Sequence, residues 1–89
     1  MTIIDVREPA EYAIGHVEGA LNVPPAELMS GSSQLAGLAK DDKIILYCVS
    51  GSRSNVSAQI LGAQGFTNIE NGVNKDHVAA SQNLQIVTD

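Results

Sequence analysis

Short apolar runs alternate with stretches of helical spacing along most of the chain. Runs rich in apolar and β-branched residues predict four buried strands, at residues 2–6, 20–23, 43–47 and 66–69. Helical spacing predicts the helices between them, at residues 9–14, 26–39 and 53–64. Strands that alternate with helices form parallel sheets with right-handed crossovers. We therefore expect an α/β fold in which helices flank both faces of a small central parallel sheet.

The helix at residues 53–64 has the clearest pattern. Val56, Ile60 and Ala63 fall at positions i, i+4 and i+7, with Leu61 beside them. Residues at this spacing share one side of a helix. The pattern therefore predicts that this side packs against the sheet.

The remaining segments carry weaker signals. Serines and a glycine at residues 30–33 interrupt the second helix, and Asn71-Gly72 predicts a turn that closes the last strand. The tail after residue 73 is ambiguous. We interpret it as a short helix around residues 75–80 followed by an extended segment at 84–87.

Length, charge and cysteine content narrow the class of protein. The chain of 89 residues forms a single domain, residues 1–89, and its net charge of −5 argues against binding to nucleic-acid phosphates. No apolar run has the length of a membrane span. One cysteine and two distant histidines, His16 and His77, offer no metal-ligand spacing. We expect a monomer without metal or cofactor.

The only cysteine begins the stretch Cys48-Val49-Ser50-Gly51-Ser52-Arg53, between a predicted strand and the clearest predicted helix. Ligands of parallel sheets bind beyond the carboxyl ends of the strands, which is where Cys48 falls. Gly51 lets the loop curl, so that backbone N–H groups and the helix N-terminus face an anion and favour a thiolate. A buried structural cysteine is the alternative, and the loop favours a reactive one.

Three segments resemble, in order, the single-domain rhodaneses, a family of thiosulfate sulfurtransferases. They are Ile4-Asp5-Val6-Arg7-Glu8-Pro9 with Glu11-Tyr12, then residues 15–24, and then Cys48 to Ser54. The resemblance implies that Cys48 attacks the sulfane sulfur of thiosulfate, releases sulfite and becomes a persulfide. Cyanide, or the thiol of a small molecule or protein, then accepts the sulfur. It also implies that loop residues bind the anions: Val49, Ser50, Gly51, Ser52 and Arg53.

The roles of several polar residues stay open at this point. Arg53 has two equal interpretations, attraction of the anionic donor or a pair with a carboxylate, for which Asp5 and Glu8 are candidates. Ser50 and Ser52 are interpreted as loop formers and helix caps rather than as catalysts.

Two further positions, 16 and 49, bear on catalysis. The resemblance to rhodaneses implies that His16 is part of the scaffold, although a Cys–His pair is a known way to activate a thiol. Many rhodaneses carry a basic residue where this chain has Val49, so a charge that helps to bind thiosulfate is missing.

Two other functions compete with an enzyme that uses thiosulfate. A persulfide carrier, supplied by another protein, needs the same cysteine. A phosphatase or arsenate reductase of the related Cys-loop-Arg type usually has a longer loop, whereas four residues separate Cys48 from Arg53 here. The chain lacks a tryptophan-bearing helix after Asn71-Gly72 and thereby resembles the small phage-shock-type rhodaneses, which are exported. We therefore favour the periplasm slightly over the cytoplasm, on the assumption that a signal peptide was removed.

Overall fold

The computed structural model describes all residues, 1–89, as ten regular elements and one 3-10 turn. In chain order the elements are β1 (Thr2–Asp5), α1 (Pro9–Ile14), β2 (His16–Val17), β3 (Leu21–Asn22), α2 (Pro25–Ser30), the 3-10 turn (Ser33–Leu35), β4 (Ile44–Cys48), α3 (Ser52–Ala63), β5 (Ile69–Asn74), α4 (Lys75–Gln82) and β6 (Ile86–Val87). The predicted order of strands and helices is confirmed except for β2, which the sequence did not indicate, and α1 has the predicted bounds. The helix predicted over residues 26–39 is shorter, since α2 ends at Ser30 and only the 3-10 turn follows.

A four-stranded parallel sheet lies at the centre, in the order β3-β1-β4-β5. Side chains alternate along β4, so that Ile44, Leu46 and Cys48 join one apolar cluster and Ile45 and Tyr47 join the other. The first cluster also contains buried residues of α2 and α3, and the second contains residues of α4. Helices therefore cover both faces, and the predicted α/β class is confirmed.

The buried side of α3 differs from the prediction. Ser54, Ser57 and Leu61 are buried, whereas Val56 is 51% exposed and Ala63 is exposed. Small side chains let the helix approach the sheet closely. The buried hydroxyl of Ser57 satisfies itself by donating to the Arg53 carbonyl oxygen at 2.8 Å. Two serines therefore lie on the buried side of α3, and a search for apolar residues alone does not identify that side.

The last strand of the parallel sheet also differs from the prediction. Residues 66–69 were expected to form it, but β5 runs from Ile69 to Asn74 and contains the supposed turn Asn71-Gly72. Gly72 is needed inside the strand because an added Cβ would lie 2.3 Å from Val78 Cγ2 and 3.1 Å from the Leu46 carbonyl oxygen. The glycine thus permits close packing of α4 rather than a turn.

The tail completes the second face of the sheet. The helix expected around residues 75–80 is confirmed as α4, and part of the extended segment is β6, which pairs antiparallel with β2. The Asn74 side chain accepts a hydrogen bond from the His77 N–H at 2.8 Å and so caps the start of α4. No helix of the structure combines the length and the apolar character needed to cross a membrane.

Candidate active site

Cys48 is the last residue of β4, and its side chain is buried on the α3 side of the sheet, with 2% of the residue exposed. Its Sγ accepts a hydrogen bond from the Gly51 N–H at 3.1 Å and lies 3.6 Å from the Ser54 Oγ. Gly51 adopts a φ of 96°, in the region that favours glycine, and so lets the chain turn back over the sulfur. The predicted cradle of donors around Cys48 is present.

The donors favour the ionised form of the cysteine. Burial raises the pKa of the Cys48 thiol, but hydrogen bonds from the Ser54 hydroxyl and from the N–H groups of Ser54, Gly51 and Ser50 outweigh burial and lower the pKa to about 7. The thiolate is therefore populated at neutral pH, unlike that of an ordinary thiol. A thiolate is the nucleophilic form of cysteine.

The serines and the valine of the loop face outward. Val49 is 58% exposed, and Ser50 and Ser52 are exposed, with their Oγ atoms 3.3 Å apart. Neither serine caps α3, because Gly51 occupies the N-cap position without a side-chain bond. The prediction of a helix cap was therefore wrong, and the two hydroxyls lie at the mouth of the loop.

Arg53 pairs with a carboxylate that the sequence did not indicate. Its guanidinium contacts Glu11 of α1, at 2.7 Å from Nη1 to Oε1 and 3.1 Å from Nη2 to Oε2. Asp5, one of the expected partners, forms a buried pair with Arg7 instead, at 2.7 Å. The structure therefore shows the carboxylate pair, one of the two interpretations of Arg53. The partner is Glu11, however, and not Asp5 or Glu8 as predicted.

Two residues of the site escaped the sequence interpretation. Ser54 contacts the sulfur, and Asn71 on β5 contacts Ser54, with Oδ1 2.6 Å from the Ser54 Oγ. Asn71 Nδ2 also donates to the Gly51 carbonyl oxygen at 3.1 Å. The one available signal for Asn71 was a polar residue on the strand after the cysteine helix, and it was interpreted as a turn residue.

His16 belongs to the scaffold near α1 rather than to the sulfur site. Its ring is buried and stacks on Tyr12, with the ring centroids 3.7 Å apart, and its Nδ1 lies 2.9 Å from the Tyr12 carbonyl oxygen. The Tyr12 hydroxyl in turn donates to the Ala20 carbonyl oxygen at 2.6 Å. These contacts tie α1 to the loop between β2 and β3.

Neither cavity of the molecule lies at the sulfur. The two cavities of the molecule, of about 390 and about 300 Å³, lie elsewhere: one is beside Met1 and Leu84, and the other is beside Lys40 and Phe66.

Comparisons with known proteins agree with this site. The rhodanese-like domain model matches residues 1–79. The thiosulfate sulfurtransferase PspE of Escherichia coli K12 is 38% identical over 68 residues, which are 76% of this chain and 64% of PspE. The putative sulfur carrier protein YrkF of Bacillus subtilis is 34% identical over 73 residues, which are 82% of this chain and 38% of YrkF. The chain thus spans less than two thirds of these relatives.

A solved structure described as a rhodanese with anions from Escherichia coli superposes with a TM-score of 0.84. The two chains are 32% identical, and the match covers 99% of this chain and 98% of the solved one. The chain belongs to the rhodanese-like domain family, as the three sequence motifs indicated. Membership of this family, together with its sulfurtransferase relatives, supports a function in sulfur transfer.

Proposed function

We propose that this chain is a sulfurtransferase that moves the sulfane sulfur of thiosulfate through a Cys48 persulfide to cyanide or a thiol. One observation carries the proposal. The only thiol of the chain sits in a loop that donates hydrogen bonds to its sulfur and lowers its pKa to about 7. The similarity to the thiosulfate sulfurtransferase PspE supports thiosulfate as the donor.

The chemistry takes two displacements. The Cys48 thiolate attacks the outer sulfur of thiosulfate, a new S–S bond forms, and sulfite leaves with the electron pair of the broken bond. An acceptor thiolate or cyanide then attacks the outer sulfur of the persulfide, and the Cys48 thiolate is the leaving group. Donors that stabilise the thiolate before the first step stabilise it again as it leaves. No net oxidation of the protein occurs.

The charges beside the cysteine loop favour a second function, that of a persulfide carrier. Arg53 is neutralised by Glu11, and Val49 supplies an exposed apolar side chain where a cation would attract thiosulfate. A protein that receives its sulfur from another protein's persulfide needs no such cation. The similarity to the putative sulfur carrier protein YrkF agrees with this alternative.

Intact mass measurement separates the two functions. After incubation of the reduced protein with millimolar thiosulfate, we expect the mass to rise by one sulfur atom and cyanide to reverse the rise. Cys48→Ser is the control and should gain nothing. If thiosulfate adds no sulfur to the folded protein, the thiosulfate enzyme is excluded. Transfer from a protein persulfide alone would establish the carrier.

Two expectations from the sequence remain proposals. We propose that aryl phosphates are turned over negligibly, since the four-residue loop is shorter than is usual in the Cys-dependent phosphatases. We also propose a monomer that works in the periplasm. Fractionation of cells that express the gene with its native upstream sequence tests the location.

A further inference from the structure

The carboxamide of Asn71 makes three hydrogen bonds, two of which connect β5 to the cysteine loop and the start of α3. Its Oδ1 accepts from the Ser54 hydroxyl at 2.6 Å and from the Val73 N–H at 3.0 Å. Its Nδ2 donates to the Gly51 carbonyl oxygen at 3.1 Å. Ser54 and Gly51 both contact Cys48 Sγ. Asn71 therefore holds two of the residues that donate to the sulfur, without touching the sulfur itself.

The Ser54 hydroxyl has one proton and three neighbouring acceptors. Its Oγ lies 2.6 Å from Asn71 Oδ1, 3.1 Å from the Gly51 carbonyl oxygen and 3.6 Å from Cys48 Sγ. While Cys48 is a thiol, the S–H can donate to Ser54, and Ser54 can donate to Asn71. When Cys48 ionises, the hydroxyl proton can turn to the sulfur. Asn71 Oδ1 then keeps the Val73 N–H as a donor, so no buried acceptor is left unpaired.

The second arm of Asn71 acts on the backbone of the loop. The Gly51 carbonyl oxygen accepts from Asn71 Nδ2 and also from the Asn55 N–H, at 2.9 Å, in the first turn of α3. Holding this carbonyl fixes the peptide that follows Gly51 and limits rotation of the glycine itself, whose φ of 96° has few steric restraints. The Gly51 N–H is thereby kept directed at the sulfur.

We propose that Asn71 is a positioning residue for sulfur transfer, which keeps the Gly51 N–H aimed at whichever sulfur anion Cys48 carries and accepts the Ser54 hydroxyl when that sulfur is protonated. The proposal rests on the proposed function only in assigning a persulfide as the second anion. The contacts themselves hold for the thiolate alone. In this arrangement Ser54 turns its hydroxyl hydrogen bond to the anion by rotation of one bond and returns it to Asn71 when the anion is discharged.

Charged side chains on the neighbouring helices are paired with one another. Arg53 of α3 is paired with Glu11 of α1, and on α4 Lys75 lies 3.5 Å from Asp76. Removing the carboxamide of Asn71 changes none of these charges. A change in the ionisation of Cys48 in an Asn71 variant therefore reports the two hydrogen-bonding arms.

The test is the pH profile of alkylation of Cys48 by iodoacetamide, which needs no sulfur donor. In Asn71→Ala we expect the apparent pKa of Cys48 to rise by about one unit, which slows alkylation at pH 7 about five-fold. Asn55→Ala is the matched control. It removes an exposed carboxamide close to the loop, and we expect the wild-type profile. Asn71→Ser, whose side chain is too short for both arms, should behave as Asn71→Ala does and serves if the alanine variant does not fold.

The route through Ser54 is tested by combining variants. Ser54→Ala alone should raise the apparent pKa of Cys48. Adding Asn71→Ala should then raise it by at least its effect in the wild type, because Asn71 no longer competes with the sulfur for the Ser54 hydroxyl and only the Gly51 arm is lost. An unchanged profile in both Asn71 variants, or an effect of Asn71→Ala that disappears without Ser54, overturns the proposal. If thiosulfate adds no sulfur to the wild type while the alkylation profiles behave as expected, the proposed function fails and the role of Asn71 stands.

Discussion

Arg53 and Glu11, which are 42 residues apart in the sequence, form a two-point ion pair beside the cysteine loop, with N–O distances of 2.7 and 3.1 Å. The Arg53 guanidinium, together with the Glu8 N–H, lowers the pKa of Glu11 to about 2. Glu11 is thus ionised throughout the neutral range and neutralises Arg53. The one cation of the loop contributes little net charge towards a dianionic donor.

Release of Arg53 should therefore improve the use of thiosulfate. Glu11→Gln keeps an oxygen for the Glu8 N–H and removes the charge. We expect the KM for thiosulfate to fall several-fold, corresponding to ~1 kcal/mol at a partly exposed site, and the gain to shrink with added salt. Glu70→Gln, which breaks an exposed pair with Lys43, is the control of equal charge. Equal changes in both variants would mean that only the net charge of the protein matters.

A cation added at the mouth should act in the same direction. Val49→Lys places a charge where the exposed valine now lies, and we expect the KM for thiosulfate to fall several-fold while kcat changes less. Val56→Lys on α3 adds the same charge at another exposed valine and is the control. Kinetics at two ionic strengths measure the effect. A KM that does not respond to Val49→Lys would show that thiosulfate approaches by another route.

The sequence was sufficient for the features that depend on neighbours along the chain. An apolar run, a short loop with a glycine and a segment of helical spacing placed Cys48 at the end of β4 and at the entrance to α3. These signals are local, since strand, turn and helix preferences act over a few residues. The class of fold followed from the same alternation.

The features that the sequence could not predict depend on contacts between distant segments. No local signal says which carboxylate meets Arg53, and Asp5 and Glu8 were favoured over Glu11 from the sequence. Asn71-Gly72 carries a strong turn signal, but packing of Val78 against Gly72 makes it part of a strand. The same packing places Asn71 beside Ser54. Tertiary contacts thus overruled local preference where the site is completed.

Two glycines provide a matched test of this packing. An added Cβ at Gly72 would lie 2.3 Å from Val78 Cγ2, whereas at Gly62 in α3 it would meet nothing within 4 Å. We expect Gly72→Ala to destabilise the protein by about 1–3 kcal/mol through overpacking. Gly62→Ala should stabilise it by up to about 1 kcal/mol through helix propensity. Urea denaturation measures both, and a neutral Gly72→Ala would contradict the role given to this glycine.

Val73 stores backbone strain beside the site. Its φ is 72°, in the left-handed region that a β-branched residue rarely adopts, and it is 39% exposed. Val73→Gly relieves this strain but makes the unfolded chain more flexible, which offsets part of the gain. The free energy of unfolding should rise by about 1 kcal/mol, or Tm by several degrees. Asn83→Gly is the control, since asparagine tolerates its φ of 56°. An equal gain from both variants would mean that Val73 carries no special strain.

The ionisation of Cys48 links stability to pH in a direction that can be checked. Its pKa in the folded protein is about 7, below that of an unfolded thiol, because the loop donors stabilise the thiolate. A group whose pKa is lowered by folding contributes its full stability above the unfolded pKa, and the contribution is lost as the pH falls through 7. The extra stability should therefore be present at pH 9 and absent at pH 6.

The comparison with Cys48→Ser isolates this effect, because all other groups titrate alike in both proteins. We expect the difference in unfolding free energy, wild type minus variant, to grow by about 2 kcal/mol between pH 6 and pH 9. The difference between Cys48→Ser and Cys48→Ala should stay constant with pH, since neither side chain ionises in this range. A constant difference between wild type and Cys48→Ser would show that the loop does not stabilise the thiolate. The alkylation of Cys48 would then accelerate only towards the pKa of an ordinary thiol, above pH 8.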